Sequence, residues 1–127
     1  MKLTKNFNLD EFQCKCGCKM PFNVEKNIRE LAENLQVLRN KVGGLTLTNA
    51  YRCAKHNAKV GGVKNSQHVK GVAADLQSKL LKPSEIANAI DNLMKLKEFK
   101  AGGIGRYNTF THVDIRGTIA NWNNTTK

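Results

Sequence analysis

Apolar residues recur at steps of four and three from Val24 through Ile28, Leu31, Leu35 and Leu38 to Val42. That spacing lays them along one face of an α-helix. Asn23 stands ahead of the run as an N-cap, and Glu25 falls in the first turn, where the helix dipole favours a carboxylate. Arg39 and Lys41 suit the far end, and Gly43-Gly44 stops it. Leu45-Thr46-Leu47-Thr48 then alternates apolar and polar, the mark of a strand, and leads into Asn49-Ala50-Tyr51-Arg52. Residues 53–71 are polar, with glycines at 61, 62 and 71, and read as a loop with one helical turn near 54–59. Val72-Ala73-Ala74-Asp75-Leu76 reads as a short, largely buried strand. Pro83 opens a second helix, whose apolar face holds Ile86, Ile90, Leu93, Leu96 or Met94, and Phe99. Two more strands, 102–107 and 110–116, are joined by a turn at Asn108-Thr109. Residues 1–22 read as an irregular, cysteine-containing segment, and the tail from Asn121 as frayed. This order predicts an α+β fold, a small single domain over 1–127 with an antiparallel β-sheet packed with helices.

Composition adds limits. The chain has 127 residues and a hydrophobic fraction of 40%, enough for one core and too much for disorder. It has no apolar run of about 18 residues, the length a membrane helix needs. Its basic start lacks the apolar stretch of a secretory signal. Charge changes the picture more. Lys and Arg number 21 against 10 Asp and Glu, a net charge of +11. Such a field draws polyanions: nucleic acid, acidic lipid or anionic cell-wall polymers. The plainer reading is solubility.

Three of the four cysteines fall within five residues, Cys14-Lys15-Cys16-Gly17-Cys18, and Cys53 is far along the chain. A metal knuckle or a redox-sensitive knot would explain the cluster. Structural zinc sites usually space their cysteines C-x2–4-C, so C-x-C-x-C is off pattern. A structural metal on Cys14, Cys16, Cys18 and Cys53 is therefore weighed beside a disulfide and favoured less than reduced thiols.

Of the carboxylates, only Asp75 and Asp114 fall in predicted strands, each among apolar neighbours. A buried carboxylate needs a partner or a metal, because a bare buried charge is very costly. His68 precedes Asp75 by seven residues, and His112 precedes Asp114 by two. Two apart on a strand, His112 and Asp114 share a face. An extended chain would hold His68 and Asp75 about 23 Å apart at 3.3 Å per residue. They share a site only if the chain folds back, and Lys70-Gly71 is the place for that. Two His and one Asp make a three-ligand zinc site with a fourth position open, the catalytic kind. Satisfied core histidines and two separate ion pairs are the alternatives. His56 reads as a surface residue.

Ser66-Gln67-His68-Val69-Lys70-Gly71-Val72-Ala73-Ala74-Asp75 fits S-x-H-x-x-G-x-A-x-D at every fixed position, and His112-Val113-Asp114-Ile115-Arg116-Gly117 forms a second motif. With Asn49-Ala50-Tyr51-Arg52, Asn57, Val60-Gly61-Gly62 and Asn65-Ser66, the chain resembles the zinc D-alanyl-D-alanine carboxypeptidases and the related phage endolysin-type peptidoglycan peptidases. Their fold is shared with the hedgehog signalling domain. The resemblance covers roughly residues 24–122. It implies a catalytic zinc ion held by His68, Asp75 and His112, and peptidoglycan stem peptides as substrate. Arg52 matches an arginine that steadies the developing oxyanion. Ser66 and Gln67 would hold substrate by hydrogen bonds. Many relatives carry a Glu three before the second histidine or a His two before it; here those positions are Thr109 and Phe110, and neither is a base. Asp114 is the candidate left for general base, its alternative role being to orient a ligand histidine.

The expectation is thus a zinc peptidase of the peptidoglycan stem, a D-Ala-D-Ala carboxypeptidase or an L-Ala-D-Glu endopeptidase. It would be a monomer made in the cytoplasm, acting on the anionic bacterial wall in a phage or prophage lysis setting, with no membrane insertion. One alternative is a non-catalytic wall-binding module on the same fold. Another, a nucleic-acid binder, is short of aromatic residues for base stacking, so no nucleic-acid partner is expected.

Overall fold

The computed structural model describes residues 1–126. The predicted first helix, α1 (Phe22–Val42), buries Val24, Ile28, Leu31, Leu35 and Leu38 of the apolar stripe and leaves Val42 half-buried. It starts one residue ahead of the expected cap. Pro21 is the N-cap, and its carbonyl accepts from the N–H groups of Val24 and Glu25. Proline's fixed φ and missing N–H cost nothing there. At the other end Gly43 takes φ 84° and its N–H donates to the Arg39 carbonyl.

The remaining elements are β1 (Thr46–Asn49), α2 (Ala54–Lys59), α3 (Gln67–Lys70), β2 (Ala73–Gln77), α4 (Pro83–Lys95), β3 (Gly103–Arg106), β4 (Thr111–Asp114) and β5 (Ala120–Asn123). The five strands form one sheet in the order β1-β2-β4-β3-β5. α1 and α4 pack on each other, and α4 packs on β3 and β4. One apolar cluster joins both helices to the sheet. On α4, Met94 is buried and Leu96 lies past the helix end, exposed.

The α+β class is as expected, with three differences in detail. The sheet is mixed: β1-β2, β2-β4 and β3-β4 are antiparallel, but β5 runs parallel to β3. The supposedly frayed tail supplies β5. Trp122 lies over β3 where glycines leave room: a Cβ at Gly103 would meet Trp122 Cζ3 at 2.9 Å, and one at Gly105 would meet its Nε1 at 2.5 Å. The N-terminal segment is also less irregular than expected. Lys2 bridges Asn8, and a 3-10 turn spans Leu9–Phe12, capped by Asn8 and Glu11. Phe7 and Phe12 enter the core.

The expected fold-back lies at Gly71. Its φ is 77°, and a Cβ there would meet Val24 Cγ1 at 2.7 Å. Gly71→Ala is expected to destabilise the protein by more than about 1 kcal/mol, because a left-handed backbone and a steric clash coincide. Thermal unfolding checks this; an unchanged Tm would contradict it.

Candidate metal centre

The sheet register does the first part of assembly. β2 and β4 pair antiparallel with Asp75 opposite His112. His68 comes from α3, a single turn capped by the Ser66 hydroxyl, which accepts from the His68 N–H at 3.1 Å. Asn27 of α1 holds that turn by donating from Nδ2 to the Lys70 carbonyl at 2.9 Å. The chain then reverses at Gly71 and enters β2. Asp75 Oδ1 ends 3.3 Å from His68 Nε2 and 3.2 Å from His112 Nδ1. All three residues are buried.

The second nitrogen of each ring decides what the first can do. His68 Nδ1 lies 2.8 Å from the Ala50 carbonyl, which only accepts, so Nδ1 carries the proton. His112 Nε2 lies 2.8 Å from Asp114 Oδ2 and donates to it. In the neutral rings, the lone pairs of His68 Nε2 and His112 Nδ1 therefore both face the Asp75 carboxylate. Three acceptors converging within 4.8 Å call for a cation between them. Two imidazoles and one carboxylate are a zinc donor set. The residues fit the ion.

A proton on a ring nitrogen that faces Asp75 stands where a cation would, and the electrostatics of that protonated arrangement point the same way. Burial works against the Asp75 carboxylate, yet hydrogen bonds from His112 and His68 outweigh it and hold its carboxyl well below the usual range. Burial works against charge on His112 as well, and Asp114 and Asp75 together raise its pKa. For Asp114, burial is outweighed by Arg116, His112 and the Gly103 N–H, and its pKa is held low.

Asp114 sits behind the His112 ring and not in the cleft. Its exposure is 0%. Oδ1 accepts from the Gly103 N–H at 2.8 Å and from Arg116 Nε at 2.8 Å, and Oδ2 accepts from Arg116 Nη2 at 2.8 Å. A carboxylate so enclosed cannot reach water on the far side of the ring. Of the two roles open to it, the placement suits orientation of His112. Thr109 is exposed, and Phe110 stacks on Tyr107 at 4.3 Å, so neither supplies a base.

A cleft of about 580 Å³ opens beside the triad, within the size range of small-ligand sites. Arg52, Ser66 and Gln67 line it. Arg52 Nη2 reaches Ser66 Oγ at 3.5 Å, while its buried Nε has no hydrogen-bond partner among the described residues. His56 is half-buried beside Cys53, away from the cleft. Tyr107, Arg116 and Trp122 are among the lining residues that carried no expected role. Trp122 donates from Nε1 to the Tyr107 hydroxyl at 2.9 Å, and its ring lies 5.0 Å from His112 and 5.5 Å from the Arg116 guanidinium. The signal for Trp122 was its uniqueness in the chain and the Gly103-x-Gly105 slot that receives it.

No match was found among curated proteins. A family model described as Peptidase M15 matches residues 5–114. The match begins well ahead of the residues that carried the resemblance in sequence, and it contains the whole triad. A donor set that demands a cation therefore sits inside a match running over most of the chain, and on that ground the chain belongs to the peptidase M15 family of metallopeptidases.

Proposed function

We propose that this protein hydrolyses a peptide bond in the peptidoglycan stem peptide, with residues 1–127 acting as one zinc peptidase domain on the bacterial wall. One observation carries the reading: two histidine lone pairs and the Asp75 carboxylate converge beside an open cleft. His68, Asp75 and His112 would hold zinc. When bound, the ion supplies a Lewis acid that polarises the scissile carbonyl and makes water nucleophilic near neutral pH.

The other side chains bind and orient. Asp114 is a positioning residue: it keeps the proton on His112 Nε2 and so keeps Nδ1 free for the metal. Arg52, which lines the cleft, is the fixed cation for charge that develops on the carbonyl oxygen. Ser66 and Gln67 offer hydrogen bonds to the peptide backbone. Trp122 and the Tyr107–Phe110 stack give the cleft an apolar wall suited to alanine methyl groups. The +11 charge concentrates the protein on anionic wall polymers. No helix among the described residues is long and apolar enough to cross a membrane. A phage-type lytic role is the setting that fits this chemistry.

A synthetic stem pentapeptide ending in D-Ala-D-Ala, incubated with zinc-loaded protein and read by mass spectrometry, tests the reading. Loss of the terminal alanine identifies a carboxypeptidase, and cleavage after L-Ala an endopeptidase. Binding with no cleavage under any zinc loading would favour a wall-binding module. Arg52→Lys is expected to lower kcat by roughly a hundredfold, because a preorganised oxyanion donor is lost. KM should change little, and equal kinetics for the two proteins would remove Arg52 from the mechanism.

A further inference from the structure

The four cysteines form the densest group of metal-ligating side chains outside the cleft. Cys14, Cys16 and Cys18 follow the Leu9–Phe12 turn, and Cys53 is the N-cap of α2. Cys14 and Cys53 are 39 residues apart in sequence, yet all four Sγ atoms lie within 4.8 Å of one another. The Cys14–Cys16 separation is 3.2 Å, Cys16–Cys53 is 3.4 Å and Cys14–Cys53 is 3.9 Å. None is in a disulfide.

A disulfide joins two sulfurs at about 2 Å and gives no reason for two more to gather round it. A tetrahedral ion with Zn–S bonds of about 2.3 Å sets its sulfurs about 3.8 Å apart. The three separations bracket that value. The unusual C-x-C-x-C spacing is made workable by a tight turn. Gly17 takes φ 82° and donates its N–H to the Cys14 carbonyl at 3.0 Å, so the chain curls around the sulfurs. Two backbone N–H groups also point at sulfur: Cys53 N to Cys14 Sγ at 3.4 Å, and His56 N to Cys53 Sγ at 3.4 Å. Such bonds favour the charged thiolate that metals bind.

We propose that Cys14, Cys16, Cys18 and Cys53 bind a structural zinc ion as a closed tetrathiolate site. Four protein ligands leave no open position, so the site does no chemistry of its own. It pins the N-terminal segment to the connection between β1 and α2. That connection carries Ala50, whose carbonyl holds His68, and Arg52, which lines the cleft. The Tyr51 N–H donates to the Phe12 carbonyl at 3.1 Å, beside the same contact. The metal thus braces the strand exit from which two cleft residues are placed. The inference is independent of the peptidase reading.

Cobalt(II) reports the ligand type directly. Thiolate sulfur gives an intense near-ultraviolet charge-transfer band, and a His-His-Asp set gives none. Reduced wild-type protein, stripped of metal and reloaded with cobalt, is expected to bind two ions per chain and to show that band. The band should persist in Asp75→Ala, with one ion left. It should vanish in a Cys16→Ser, Cys18→Ser double variant, which should melt at a lower temperature. Absence of the band in reduced, cobalt-loaded wild-type protein would overturn the proposal, and so would four thiols that react freely in the folded, metal-loaded chain. The wild-type measurement decides the matter even if the double variant does not fold.

Discussion

Asp75→Ala is expected to lose metal from the cleft and to lower peptide hydrolysis by roughly a thousandfold or more, since the ion supplies several kcal/mol to the transition state. Asp75 Oδ1 is the atom that both histidines face, at 3.3 and 3.2 Å. Without it, two imidazole nitrogens remain and the anionic ligand is gone. The effect should be read on folded protein, with metal content and circular dichroism measured on the same sample. Asn49 Nδ2, 3.4 Å from Asp75 Oδ2, cannot replace the carboxylate because it offers only a donor there. Hydrolysis within tenfold of wild type would show that Asp75 is not a ligand.

Asp114→Asn should have the second-largest effect, and its pattern is more informative than its size. The substitution keeps the volume and removes the charge. An amide NH2 must then face two donors, either the His112 Nε2–H with Arg116 Nη2 or the Gly103 N–H with Arg116 Nε. The imidazole proton loses its anionic anchor, and Nδ1 is held free less firmly. Metal affinity is expected to fall about 10–100-fold, as for other partners that orient a ligand histidine. Excess zinc should restore much of the activity. A general base would behave differently: activity would be lost with the metal retained, and zinc would not rescue it. The variant should also respond to acid differently. The folded-state pKa of Asp114 lies below its unfolded value, so the stability it contributes is complete above about pH 4 and is lost as pH falls below that. Asp114→Asn should therefore show a shallower loss of stability in acid than the wild-type protein.

Much of this site is legible in the chain because its parts are local. His112 and Asp114 share a face by strand alternation alone, and the left-handed glycine at 71 supplies the reversal that His68 and Asp75 need. The stripe from Val24 to Leu38 is a helix face by period alone. What escaped notice depends on long-range pairing. Nothing in Ala120-Asn121-Trp122-Asn123 says that it runs parallel to β3, because the short strand is defined by its neighbour and not by its own alternation. The role of Asp114 is of the same kind. Sequence puts it on the His112 face, but the guanidinium of Arg116 and the N–H of Gly103 that close it off become partners only in the folded sheet. The four cysteines were ambiguous for a related reason: their spacing is unusual, and the turn at Gly17 that reconciles it with one ion is a feature of backbone conformation.

In the proposed function a metal held by His68, Asp75 and His112 cuts the peptidoglycan stem. Its most direct test is mass spectrometry of purified peptidoglycan after incubation with the protein, with and without a zinc chelator, beside the Asp75→Ala variant. New stem-peptide products are expected, either a lost terminal alanine or new amino termini inside the stem. The chelator and the variant should each abolish them, and added zinc should restore them to the stripped wild-type protein. Unchanged peptidoglycan after treatment with zinc-loaded protein, or products indifferent to both chelator and variant, would contradict the proposed function.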